Sequence, residues 1–357
     1  ADGFNSIIQM ENNDYFYALS SNKNIKIIIY NQVNILIPWN GLGRMHDKYV
    51  IADDSLYILG GRNTFGYFLG DYAGHKNYDR DVLVYNTGSK ASSIYQIKDY
   101  YKKITSQKCC SVFHCNESLG EKNSVKKAEQ ELKNRYESLE NKYDKFLAEN
   151  YDYKANTYET NKINLLSNPT SLYAKQPTVY YGLMYLAKNA KKEVKIHTPY
   201  IICNDYMYNE LKNIKVPTTI MTNSAENNGN IFGAVDYLNH KKDIINTGVT
   251  IKEYEGGISY HGKSMTIDDD IAIVGSFNMD MRSAYIDTEL MLVINSKDIN
   301  KQLKASMEEY EKKAATVKNE TEYSHIPEGM KMKELSDKKK NIKAWFGWAM
   351  NGLRFLF

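Results

Sequence analysis

Residues 260–278 read YHGKSMTIDDDIAIVGSFN, and residues 45–63 read MHDKYVIADDSLYILGGRN. Each stretch holds His-x-Lys-x4-Asp, then a glycine and an asparagine. The anchors recur at a single displacement of 215 positions: His46 with His261, Lys48 with Lys263, Asp53 with Asp268, Gly60 with Gly275 and Asn63 with Asn278. One such motif arises readily by chance, whereas two in one register mark an internal duplication. His and Lys two residues apart in an extended segment project to the same face. The repeat therefore predicts two homologous α/β halves, each presenting a His-Lys-Asp set at a strand end.

The flanks extend the pattern. Residues 24–30 (NIKIIIY) and 249–254 (VTIKEY) precede the motifs, while 81–85 (DVLVY) and 289–294 (ELMLVI) follow them. All four are short and rich in β-branched residues, which predicts strands. Ahead of His261 the spacing predicts a helix over 178–189, a strand over 193–202, a helix over 206–212 and a strand over 218–222. Only 45 residues precede His46. By symmetry about 50 residues of the first half are expected to lie ahead of Ala1, with a membrane segment a candidate among them. The predicted fold class is α/β: two homologous repeats, each a mixed sheet flanked by helices, related by a pseudo-twofold axis with the active site at their interface. The boundaries read as 1–107 for the first repeat, 108–165 for a charged helical insertion, 166–325 for the second repeat and 326–357 for a tail.

In the insertion, Val125, Ala128, Leu132, Tyr136, Leu139, Tyr143 and Phe146 recur at spacings of three and four. They predict an amphipathic helix within 117–150, packed on the domain that carries it. The tail places Lys338, Lys339, Lys340 and Lys343 before AWFGWAMNGLRFLF, which holds two of the three tryptophans, Trp345 and Trp348, with Phe346, Leu353, Phe355, Leu356 and Phe357. Lysines beside an aromatic, apolar segment suit an anionic membrane surface.

Composition narrows the classes. The 357 residues are 42% hydrophobic and 25% charged, as in a globular protein. A net charge of +3 argues against a dedicated nucleic-acid binder. The run KCCSVFHC holds Cys109, Cys110, Cys115 and His114, but it lacks paired C-x-x-C spacing and a second ligand pair, so no metal is assigned. These cysteines and Cys203 read as free or buried thiols, with the run in a connecting loop; a disulfide to Cys203 stays open. No stretch reaches the ~18 apolar residues of a membrane span, and Ala1-Asp2-Gly3-Phe4 opens without a signal-peptide pattern. His75, His114, His197, His240 and His325 recur in no constellation and carry no role.

Two imidazoles can transfer a phosphoryl group. One, neutral, attacks phosphorus and forms a phosphohistidine; the other protonates the leaving alkoxide and then takes a proton from the incoming alcohol or water. Lys48 and Lys263 supply charge to the phosphoryl oxygens, and Asn63 and Asn278 act as neutral donors. A carboxylate on the far ring nitrogen sets the tautomer; Asp81 and Glu289, at the starts of the matching strands, are the candidates. Asp53 and Asp268 complete the six-residue motif set, with bracing of the turn their better reading.

The pair HDKYVIAD…GGRN and HGKSMTID…GSFNMD resembles the two HKD motifs of the phospholipase D superfamily. GSFNMDMRS, DTELMLVI and TPYII (198–202) are most similar to bacterial cardiolipin synthase-type members. The resemblance covers nearly the whole chain outside the inserted helix. It implies a phosphatidyltransferase or phosphodiesterase acting without metal or other cofactor, with His46 as nucleophile and His261 as acid and base. It also implies phosphatidylglycerol as substrate, and association with a bacterial cell membrane. A phospholipase D releasing phosphatidic acid is the alternative, and a nuclease of the superfamily is further off. One departure stands out: Ser276 has Gly61 as its counterpart, so a serine donor is present on one side alone.

Overall fold

The computed structural model describes residues 1–33, 36, 38–69, 76–143, 151–347 and 352–356. His75, Phe146, Trp348 and Phe357 lie outside the described residues. In chain order the strands are β1 (Ile27–Tyr30), β2 (Tyr49–Ala52), β3 (Leu56–Gly60), β4 (Asn77–Tyr78), β5 (Asp81–Tyr85), β6 (Cys110–Phe113), β7 (Lys162–Ser167), β8 (Val194–His197) and β9 (Ile201–Ile202). They continue as β10 (Thr218–Asn223), β11 (Thr250–Tyr254), β12 (Ser259–Tyr260), β13 (Ser264–Ile267), β14 (Ile271–Gly275), β15 (Met279–Asp280), β16 (Leu290–Asn295), β17 (Ala314–Val317) and β18 (Tyr323–His325).

The chain divides into two compact units: Ala1–Met45 with Lys98–Thr157 and Thr170–Tyr173, and His46–Ile97 with Tyr158–Pro169 and Ala174–Phe357. This differs from the division read from sequence, because both motifs belong to the second unit. In the first unit β1 and β6 pair antiparallel. The cysteine run is thus a strand rather than a connecting loop. Among the described residues the insertion holds two helices, Glu117–Gly120 and Asn123–Lys142. The longer one buries Val125 and Ala128 against Ala18 of the helix Asp14–Ser21, with Leu132 at the edge. Tyr136 and Leu139 farther along the same stripe are exposed.

In the second unit a nine-stranded sheet runs β18-β17-β11-β10-β8-β13-β14-β16-β7. Strands β8, β10 and β11 are parallel. Parallel neighbours need crossovers, supplied here by the helices Asp205–Lys212 and Ile231–Ile245. Beyond β8 the order continues antiparallel through the hairpin β13–β14 to β16 and β7. The first repeat contributes the matching antiparallel unit β2-β3-β5, which among the described residues has no parallel strands beside it. Strands β3 and β5 lie against β14.

The helix Thr178–Lys188 starts after Pro177 and turns Val179, Tyr180, Leu183, Met184 and Ala187 to one face. That face meets Ile196, Ile220, Met265, Ile273 and Met291 of the sheet in one buried cluster. Each such aliphatic side chain contributes about 1.5–3 kcal/mol when removed from water. The motif strands are therefore anchored from behind, and their polar ends are left to form a site.

Candidate active site

The two motif hairpins repeat in detail. Gly60 N–H donates to the Lys48 carbonyl at 3.2 Å, and Gly275 N–H donates to the Lys263 carbonyl at 3.2 Å. Asp53 and Asp268 open the three-residue turns after β2 and β13, both with left-handed backbone (φ 49° and 51°). Aspartate tolerates that region better than most residues. Asp268 also accepts the N–H groups of Lys191, Lys192 and Glu193. Both aspartates sit at the far end of a four-residue strand that is itself about 13 Å long at the strand rise, on the side away from the motif histidines. The structure places both in turns, as the bracing reading expects.

Each histidine is held by a carboxylate from the other repeat. His46 Nδ1 lies 2.8 Å from Glu289 Oε1, and His46 N–H donates to Thr288 Oγ1. His261 Nδ1 lies 2.6 Å from Asp79 Oδ2, and His261 N–H donates to the Tyr78 carbonyl at 2.6 Å. The short parallel pair β4–β12 brings Tyr78 beside Tyr260 and so delivers Asp79 to His261. With Nδ1 occupied, Nε2 of His46 is the nitrogen left to face a substrate, and His261 Nε2 has Lys263 Nζ beside it at 3.0 Å. The side chains keep 25% and 16% of their surface, so both rings are reachable. The Phe68 ring edge packs on His261.

Lys48 and Lys263 each donate to the carbonyl of their own motif histidine, and Lys263 Nζ is 3.0 Å from His261 Nε2. Burial pushes Lys48 down to about 8 and Lys263 down to about 7. Burial, then the Lys48, Lys263 and Arg282 cations, holds His46 well below the ordinary imidazole range. Burial and Lys263 hold His261 at about 3. Each ring thus feels the lysine of the opposite motif, which puts the two motifs in one electrostatic site.

The carboxylates differ. Burial pushes Glu289 up to about 7 among neutral hydroxyls, Ser276 Oγ at 2.5 Å and Ser283 Oγ at 2.6 Å. Burial also raises Asp79, but Lys263 and the His261 bond outweigh it and keep the carboxyl below its usual range. Among the described residues no group of three or more His, Cys, Asp or Glu side chains could hold a metal ion.

Comparison with known proteins fits this geometry. The family described as cardiolipin synthase, PLD-like domain, matches residues 183–310, which contain the second motif. Over those residues the chain is similar to this family. Cardiolipin synthase 1 of Staphylococcus epidermidis is 30% identical over 159 residues, 44% of this chain and 32% of that protein. An uncharacterized protein of Helicobacter pylori is 25% identical over 296 residues, 75% of this chain and 57% of its own length. The chain therefore spans little more than half of one curated relative and a third of the other. The crystal structure of phosphatidylserine synthase from Haemophilus influenzae Rd KW20 superposes with TM-score 0.62 at 15% identity, covering 98% of this chain and 80% of that one, and shows the shared fold.

Within this site the sequence assignment of Asp81 is corrected. Asp81 does not orient an imidazole; it pairs with Arg62 Nε at 2.5 Å. Strand register explains the slip. Gly60 pairs with Asp81, and its counterpart Gly275 pairs with Met291, so Asp81 matches Met291 and Asp79 matches Glu289. Aligning the apolar runs Val82–Val84 and Leu292–Ile294 would have found it. Asn278 is buried and donates to the Tyr200 hydroxyl at 3.1 Å; Asn63, its counterpart, is half-buried.

The Gly61–Ser276 asymmetry has a steric cause. A Cβ on Gly61 would collide with the Asp79 carboxylate and lie 2.9 Å from Lys263 Cδ. The serine hydroxyl that supports Glu289 thus has no room on the Asp79 side. Gly61→Ser is expected to cost about 1–3 kcal/mol by overpacking, read as a lower urea midpoint, and to displace Asp79 from His261.

The remaining assignments fall outside the site. His197 is a buried histidine between Tyr260 OH (3.1 Å) and Glu311 (3.3 Å), and His240 pairs with Asp243. All four cysteines are free thiols, with Cys203 fully buried.

Proposed function

We propose that the site transfers a phosphatidyl group between two phosphatidylglycerol molecules through a phosphohistidine, as a cardiolipin synthase-type phosphatidyltransferase. The observation that carries this reading is the crossed pair of histidine–carboxylate bonds, with half-buried Lys48 and buried Lys263 against the histidines. His46 Nε2 attacks phosphorus, the bond from phosphorus to the headgroup glycerol oxygen breaks, and His261 gives that oxygen its proton. The hydroxyl of a second phosphatidylglycerol then returns a proton to His261 while its oxygen attacks phosphorus, breaking the P–N bond and releasing cardiolipin. The carboxylates support this order. Glu289, among hydroxyls, leaves His46 neutral and nucleophilic, while ionised Asp79 stabilises the imidazolium that His261 must become. His261 is a poor acid in the empty site; an anionic phosphodiester against Lys48 and Lys263 offsets their repulsion and raises it.

The exposed lysines and aromatic side chains of the tail fit an anionic membrane surface as the place of action. No helix among the described residues is long and apolar enough to cross a membrane. The test is incubation with phosphatidylglycerol vesicles in excess chelator, followed by lipid separation. Cardiolipin plus glycerol supports the reading. Phosphatidic acid alone would make the chain a hydrolase with the same residues, and activity confined to DNA phosphodiesters would make it a nuclease.

The lysines set a pH dependence. An ammonium is cationic below its pKa, so the free site loses charge as pH rises through about 7 at Lys263 and about 8 at Lys48. The kcat/KM, which reports the free enzyme, is expected to decline above pH 7–8. The kcat should hold to higher pH, because bound phosphate retains both protons. A kcat/KM flat from pH 7 to 9 would contradict charged lysines as the phosphate holders.

A further inference from the structure

The C-terminal segment turns two of its cations inward. Lys339 is buried and donates to the carbonyls of Ala225, Glu226 and Asn228 at 2.8, 2.5 and 3.0 Å. Arg354 forks onto buried Asp236, Nε to Oδ1 at 2.7 Å and Nη2 to Oδ2 at 3.1 Å, and also donates to the Cys203 carbonyl. Such partly enclosed charges persist only where they are paired. The neighbours of these two cations face outward. Lys338, Lys340 and Lys343 are exposed, as are Trp345 (76%), Leu353 and Phe355. Lys340 has Glu334 and Asp337 at 3.9 Å, which leaves Lys338 and Lys343 to dominate the local charge.

The turn after Arg354 reaches the catalytic machinery. The Leu356 carbonyl accepts from Arg282 Nη1 at 3.2 Å, and Arg282 Nε pairs with Asp287 at 3.0 Å. Ser283, the next residue, is capped by Asp280 and donates to Glu289 Oε1 at 2.6 Å. The segment 280–289 that holds the His46 partner is therefore held in turn by the tail. Resting on the phosphatidyltransferase reading above, we propose that residues 336–347 and 352–356 form a contact for an anionic phospholipid surface that is latched through Arg354 and Leu356 to the Arg282–Glu289 segment, making Arg354 and Arg282 positioning residues for His46. The outward lysines and apolar side chains meet the lipid, and the inward arginine keeps the segment that carries Glu289 in place. A protein engaged at the membrane is then one whose tail, and with it the carboxylate on His46, is set.

Two variants separate the halves of the proposal. Trp345→Ser/Leu353→Ser/Phe355→Ser is expected to weaken co-sedimentation with phosphatidylglycerol vesicles by roughly 10-fold or more. Arg354→Gln is expected to lower turnover of short-chain phosphatidylglycerol, dispersed below its micelle threshold, by about 2- to 30-fold. Surface binding plays no part in that second assay. If Arg354→Gln unfolds, Arg354→Lys, which keeps the cation but cannot fork onto both Asp236 oxygens, is expected to show a smaller loss of the same kind. A triple variant that sediments like wild type overturns the surface. A folded Arg354 variant with wild-type turnover on dispersed lipid overturns the latch. A wild-type chain that acts on neither lipid instead overturns the phosphatidyltransferase reading, and sedimentation still decides the surface.

Discussion

Replacing His46 with alanine is expected to lower lipid turnover by about 10⁴-fold or more, and replacing His261 by about 10²–10⁴-fold, with the fold retained in both. The two losses differ in kind. His46 forms the bond to phosphorus, so no change of leaving group rescues its removal. His261 supplies a proton, so a substrate whose leaving group departs as a stable anion, such as a p-nitrophenyl phosphodiester, should recover most of the loss in His261→Ala. Both rings are partly exposed, and each has one side-chain carboxylate as its main partner. Their removal should therefore shift the thermal midpoint by a few degrees at most. Rescue of His46→Ala by the good leaving group, with none for His261→Ala, would exchange the two roles.

The second large effect separates two aspartates two residues apart. Asp79→Asn is expected to cost about 10²-fold or more in kcat, because an amide cannot stabilise the His261 imidazolium and can present the wrong tautomer. Asp81→Asn removes only the ion pair with Arg62, whose side chains keep 32% and 22% of their surface. A partly solvated pair is worth about 0–1 kcal/mol, so activity should stay within about threefold and the midpoint should fall slightly. Parallel assays of the two variants decide the matter. Equal losses, or a larger loss for Asp81→Asn, would mean that the register-derived equivalence of Asp79 with Glu289 does not describe the working enzyme.

Much of the fold was legible because the motif hairpins are local. His46 to Asn63 and His261 to Asn278 carry their own turn residues and alternating strands, and the helix over 178–188 declares itself by its apolar stripe. Glu289 was legible as well, since it directly precedes a strong strand. Asp79 was not. The linker between Asn63 and β5 is five residues longer than its counterpart (16 positions from Asn63 to Asp79, 11 from Asn278 to Glu289), and Asp81 offered a nearer charge at a strand start. Only the cross-strand register, Gly60 with Asp81 against Gly275 with Met291, resolves the choice. The crossed bonding of each histidine to the other repeat's carboxylate depends on tertiary packing, which no periodicity encodes. The cysteine run was misread because KCCSVFHC gives only a weak alternation, and its strand character comes from pairing with β1 far away in sequence. The tail's outward residues were visible in the composition. Its inward cations were not, since Lys339 and Arg354 look like their neighbours until their partners are known.

Rapid-quench mass spectrometry with phosphatidylglycerol in excess chelator tests the central claim most directly. Within the first turnover the chain should gain the mass of one phosphatidyl group, on the peptide that contains His46, and lose it as cardiolipin appears. Cardiolipin formed in that turnover with no adduct on either histidine would mean direct displacement at phosphorus, and would contradict the two-histidine account.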